Sequence, residues 1–244
     1  MTFLTPDFAF LCGAALLGGA VRGFSGFGAA LVFLPLAGRV LDPVSAVSCL
    51  ILMELIGPLP MLPRVLPDLH RRDLARMTLG TVLALPLGVM LLSQLEASAF
   101  RGLVGVISLL MLTGLIAGWR YRGYLGPGLI TGTGFASGFL GGAAGIPGPP
   151  VIFVYMASTL PARVIRANIT TFLLIYDWLM LGLLALLGHL HPQLILTGLA
   201  LTIPNMLGNG LGTALFQPEK ERLFRAIAYS LIALSALTGL PIWG

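Results

Sequence analysis

Two clusters of glycine and proline interrupt long apolar runs, and this feature constrains the chain more than any other. They are "RGFSG" at 22–26 and "GFLGGAAGIPGPP" at 138–150. A chain in hydrocarbon must satisfy its backbone N–H and C=O groups internally, so spanning pieces are helices or closed barrels. Non-helical backbone at membrane depth survives only when buried in protein or lining a wet cavity. The clusters therefore mark the places where a buried or wetted turn is expected.

Composition supports the membrane reading. Hydrophobic residues make up 57% of 244 and charged residues 9%, against about 25% charged in soluble domains. No stretch is left for a soluble domain. The formal charge of +5 belongs to basic residues that punctuate apolar spans. That placement points to membrane topology and not to nucleic acid. Cys12 and Cys49 lie in apolar segments with no metal-ligand spacing partner, so both read as small packing residues. The start "MTFLTPDFAF" has no basic residue before its apolar run, unlike a cleavable signal, and residues 8–21 read as part of the fold.

The chain repeats itself. Gly23, Phe24, Gly26 and Pro35 match Gly138, Phe139, Gly141 and Pro150 at one constant offset. Farther on, Phe100-Arg101 matches Phe224-Arg225, and both segments finish in Thr-Gly-Leu after a one-residue gap. The expected organisation is a single membrane domain with a first repeat over 1–122 and a second over 123–244. Duplicated halves are common in transporters.

Each repeat opens on a broken apolar region, about 8–38 and 125–159. Pieces at 8–21 and 27–38, and at 125–137 and 147–159, are shorter than the roughly 20 residues a span needs. Each pair reads as a re-entrant helical hairpin or as two short tilted helices. Three ordinary spans follow in each half, near 44–63, 74–93 and 99–118, then 166–188, 192–215 and 223–242. With returning hairpins the halves are inverted, and eleven of the fourteen Lys and Arg residues fall on one side. Those eleven are Arg64, Arg71, Arg72, Arg76, Arg120, Arg122, Arg163, Arg166, Lys220, Arg222 and Arg225. Arg39 and Arg101 fall opposite, and Arg22 at the first tip. The basic side is then cytoplasmic, with both termini outside a cell (inner or plasma) membrane. Ten short spans would give the same parity. The fold class is thus an all-α polytopic membrane protein of two inverted repeats, each a broken hairpin plus three transmembrane helices.

The breaks suit an anion. The second helix of each hairpin would present free N–H groups and positive dipole at its start. Pro147, Pro149 and Pro150 suit a helix start, where no donor is needed. Candidate substrate-binding residues at the first tip are Arg22, Gly23, Ser25, Gly26 and Gly28. At the second they are Ser137, Gly138, Gly141, Gly142, Gly145 and Gly148. The competing reading is that these glycines only pack helices tightly. Asn168, Thr170 and Thr171 open the helix after the second hairpin and either ligate an oxyanion or cap helices. Ser45 and Ser48 hold the corresponding stretch of the first half. Glu54 and Asp177 sit within spans, where carboxylates are functional candidates. They read as proton-coupling groups or as countercharges to Arg22. Pro204, with Asn205 and Asn209, marks an expected kink, and Pro58 and Pro60 a bend.

The order "GFSGFG…P", "GFLGGAAGIPGPP" and "ANITTFLL" resembles the TauE/SafE sulfite exporter family, the toluene sulfonate uptake permease group. The resemblance covers essentially the whole chain. The chain departs from the family's usual run of glycines at Gly28-Ala29-Ala30. The resemblance implies a permease for sulfite, organosulfonates or related small organic anions. Residue pattern alone reaches an anion-friendly secondary transporter, with an anion channel as the alternative.

"GFSG" at 23–26 also matches the Gly-x-Ser-Gly of rhomboid-like intramembrane proteases. Such a protease needs a histidine within a later span to activate Ser25. His70, His189 and His191 all lie at span ends or in loops. The expectation is no enzyme, no cofactor and no metal, with a small anion, the lipid bilayer and protons as partners.

Overall fold

A computed structural model describes residues 5–59, 62–118, 125–155, 158 and 160–240. Among the described residues there are eleven α-helices and no strand. In the first half, α1 (Pro6–Ser25) and the short α2 (Ala29–Ala37) precede α3 (Pro43–Glu54), α4 (Leu62–Val65), α5 (Arg71–Leu92) and α6 (Ala97–Ile116). In the second, α7 (Pro127–Ala144) and the short α8 (Gly148–Tyr155) precede α9 (Ala162–Leu186), α10 (Pro192–Leu215) and α11 (Glu221–Gly239). Each half thus opens on a long helix followed by a short one. Five helices, α1, α5, α6, α9 and α10, are long and apolar enough to cross a membrane. The chain is an all-α polytopic membrane protein.

The opening helices have clear local causes. Thr5 caps α1 by accepting from Phe8 N–H at 3.3 Å, and Pro6 stands in its first turn, where a missing donor costs nothing. The helix ends on Gly26 at φ 80°, whose N–H donates to Arg22 O. α7 ends the same way on Gly145 at φ 69°, whose N–H donates to Gly141 O. The left-handed conformation that stops both helices is one glycine adopts without penalty.

These ends correct the expected hairpins. Residues 22–25 are the last turn of α1, and 138–144 are the last two turns of α7. The turns lie farther along, at Gly26–Gly28 and Gly145–Pro147. The pieces are therefore unequal. α1 has 20 residues and α7 has 18, while α2 and α8 have 9 and 8. The first span of the first half is also shorter than 44–63, because α3 stops at Glu54 ahead of Gly57 and Pro58. Pro60 lies outside the described residues, as do Arg120 and Arg122. Pro204 sits inside α10, which remains helical across it.

Two compact units form, and neither corresponds to a half of the chain. One comprises residues 1–54, 95–114 and 188–244. Here α1 packs along α10, with α2 against α11 and α3 against α10. Its buried side chains include Leu11, Phe33, Leu34, Ile51 and Phe100. The other comprises residues 55–94 and 115–187. Here α5 packs along α7 and touches α9. Met77, Ile130, Val151, Tyr155 and Phe172 form its centre.

Glycine lets both main pairs approach backbone to backbone. A Cβ on Gly138 would stand 2.7 Å from Thr81 O, and one on Gly142 2.6 Å from Leu85 O. Gly134 meets Met77 O, Gly80 meets Thr131 O and Gly88 meets Phe139 O in the same manner. In the other unit Gly19 meets Asn205 O, Gly23 meets Asn209 O, and Gly208 and Gly212 meet Leu16 O and Ala20 O. Each pair also carries one threonine crosslink. Thr81 Oγ1 donates to Gly134 O at 2.9 Å, and Thr213 Oγ1 donates to Gly23 O at 3.2 Å. Small residues at such spacing are the usual means of close helix approach in lipid.

Candidate anion site

The first turn joins α1 to α2 within one unit. Gly26 is exposed with open space at its Cβ position, and Gly28 stands at φ 97°. The Ser25 hydroxyl lies 2.5 Å from Val21 O and 2.7 Å from Phe27 O, and accepts from Phe27 N–H at 3.4 Å. It ties the turn to the end of α1. No side chain caps α2 at Gly28, and no acidic residue occupies its first turn. The amides that start α2 thus keep their positive end toward the turn.

Arg22, one turn before Gly26, supplies full charge. Its Nη1 lies 2.8 Å from Glu54 Oε1, with side chains 30% and 20% exposed. Glu54 is thus one of the two expected partners brought to Arg22. α3 ends on Glu54, which brings the carboxylate to the last turn of α1. Both side chains are partly exposed, while the contacting Glu54 Oε1 is itself buried.

The second turn, in the other unit, is more enclosed. Gly145 is buried, and Gly148 is half-buried with Ile152 Cδ1 3.5 Å from its Cβ position. Pro147 stands before α8, and Pro149 and Pro150 fill its first turn.

The expected site residues divide accordingly. Arg22, Ser25, Gly26 and Gly28 gather at the first turn. Gly145 and Gly148 flank the second. Gly23, Gly138 and Gly142 instead face the backbone of a neighbouring helix. Gly141 faces the Tyr176 ring, whose Oη would lie 2.9 Å from a Cβ there. Gly23 on α1 and Gly138, Gly141 and Gly142 on α7 form packing surfaces because both helices continue unbroken through them.

Ser137 is fully buried and its Oγ has no hydrogen-bond partner. Asn168 is fully buried on α9, and its Oδ1 accepts from His70 N–H at 3.1 Å. That bond fixes the turn before α5 to α9. Asn168 Nδ2 and Thr171 Oγ1 are buried without partners, while Thr170 is half-buried. Asp177 is half-buried within α9. Ser48 is spent on Val44 O at 2.7 Å, and the Ser45 N–H donates to Asp42 Oδ1 at 3.0 Å. Asn205 packs on α1 with an unpartnered Oδ1, whereas Asn209 is exposed.

Two tyrosines escaped the sequence reading. Tyr155 closes α8 and Tyr176 lies against α7, both buried with unpartnered hydroxyls. Tyr176 directly precedes Asp177 in "IYDW", and a phenol inside an apolar span was the available signal.

The family model for the sulfite exporter TauE/SafE matches residues 11–238, nearly the whole chain. The chain belongs to that family. Comparison with curated proteins and with solved structures gives no match. TauE/SafE membership places the chain among multi-pass membrane transport proteins.

Proposed function

We propose that this TauE/SafE protein is a secondary transporter for a small anion such as sulfite, an organosulfonate or a related organic anion. The observation that carries the reading is the Arg22–Glu54 pair at 2.8 Å, partly open and next to an uncapped helix start. The anion takes the place of Glu54 beside Arg22 and accepts from the first amides of α2. Glu54, released, takes up a proton, so anion and proton move together. Asp177 on α9 is the second proton-coupling candidate. Gly145 and Gly148 flank the enclosed second turn in the other unit, where Ser137, Asn168, Thr170 and Thr171 supply polar groups. Alternating access exposes the bound anion to each side in turn. The protein is proposed to lie in the cell membrane with both termini outside, and transport, not catalysis, is its role.

Counterflow tests the mechanism. Proteoliposomes loaded with unlabelled sulfite or a sulfonate should accelerate uptake of the labelled anion. A pore shows no such acceleration, and that result would replace the carrier by an anion channel.

A further inference from the structure

A groove of about 470 Å³ runs along α5 beside α9, inside one compact unit and apart from both turns. Arg71 stands at one end. Leu74, Thr78, Leu79 and Val82 follow along the same face of α5, and Ile175 of α9 forms the other wall. The spacing 71, 74, 78, 82 is that of one helix face. The groove is therefore a straight track parallel to the helix axis.

Its length and charge fit one leaflet. From Arg71 to Val82 the axis advances about 16 Å at 1.5 Å per residue. Half of a roughly 30 Å hydrocarbon core is about 15 Å. One end is cationic and the remainder apolar apart from Thr78. Among the described residues, Asp73 is engaged by His70 at 2.7 Å and Arg76 at 3.5 Å, and Asp68 by Arg163 at 3.4 Å. No carboxylate among the described residues pairs with Arg71 or with its neighbour Arg72. Arg71 and Arg72 are exposed, as are Leu79 and Val82 farther along.

We infer that this groove binds an anionic glycerophospholipid, its phosphate on Arg71 and one acyl chain along Leu74–Val82. Arg72 and the start of α5 add positive potential at the headgroup end. A zwitterionic lipid fills the same track and also carries a phosphate, but its own ammonium group offsets that charge and meets the positive potential of Arg71 and Arg72. The site serves the protein as a resident lipid and does not depend on the transport reading.

The test uses the full chain purified in detergent and stripped of lipid. Phosphatidylglycerol and phosphatidylcholine are added separately, and bound lipid is counted by native mass spectrometry. Wild type should retain phosphatidylglycerol over phosphatidylcholine. Arg71→Gln should lower that preference about fivefold, the equivalent of one basic residue near a membrane surface. Val82→Trp, at an exposed position, should reduce retention of both lipids by blocking the track. Arg222→Gln, a basic change outside the groove, should leave the preference intact. Equal retention of the two lipids by wild type overturns the proposal, and so does an unaltered preference in Arg71→Gln.

Discussion

Glu54 is the last helical residue of α3, so its carboxylate meets the negative end of its own helix dipole. Arg22, in the last turn of α1, offsets that repulsion at 2.8 Å. The two side chains therefore depend on each other, and the guanidinium stands one turn before Gly26. Arg22→Gln should weaken anion binding about tenfold or more, the scale of one charge-assisted hydrogen bond. Isothermal titration with sulfite checks it, and unaltered affinity removes Arg22 from the site. Glu54→Gln keeps the cation but removes its competitor and its proton carrier. Exchange of labelled for unlabelled anion should persist, while accumulation driven by a pH gradient should vanish. Uphill uptake at the wild-type rate would exclude Glu54 from coupling. Arg22 and Glu54 were legible in the sequence because ionisable groups in hydrocarbon stand out against apolar neighbours. Tyr155 and Tyr176 were not, because their rings read as ordinary apolar bulk.

At the scale of the helix, glycine has two separate uses in this chain. Gly26 and Gly145 end helices in the left-handed conformation. Gly134, Gly138 and Gly142 stay helical and face α5. Gly138→Ala should therefore push α5 and α7 apart, at a cost of about 1–3 kcal/mol for overpacking. Gly132→Ala in the same helix meets nothing within 4 Å. It should be neutral or stabilising by up to about 1 kcal/mol, the propensity difference between the two residues. Thermal unfolding of the two variants separates packing from propensity, and equal effects would refute the distinction. Glycine content alone marks a break, whereas the four-residue spacing of 134, 138 and 142 marks a contact face. Glycine content taken without spacing therefore points to turns several residues ahead of Gly26–Gly28 and Gly145–Pro147. The correspondence of opening helices was legible because Gly23–Pro35 and Gly138–Pro150 share one offset. The stop of α3 at Glu54 was not, since its apolar run continues through Leu55 and Ile56.

For the molecule as a whole, the eleven-to-two asymmetry of basic residues argues for an inverted duplication with both ends outside. A phosphatase reporter that matures only outside the cytoplasm, fused after Gly244, should be active. An inactive phosphatase with a fluorescent cytoplasmic reporter at the same point would reverse the proposed orientation. Compactness follows different lines from the duplication. α1 packs on α10, and α5 packs on α7. During synthesis, then, the glycine stripe of α1 has no mate until almost the entire polypeptide has left the ribosome. The nascent first half must wait in lipid with a face shaped for a protein, and neither half can mature unaided. Expressed as two separate fragments, the halves should stay protease-sensitive alone and become resistant only when made together.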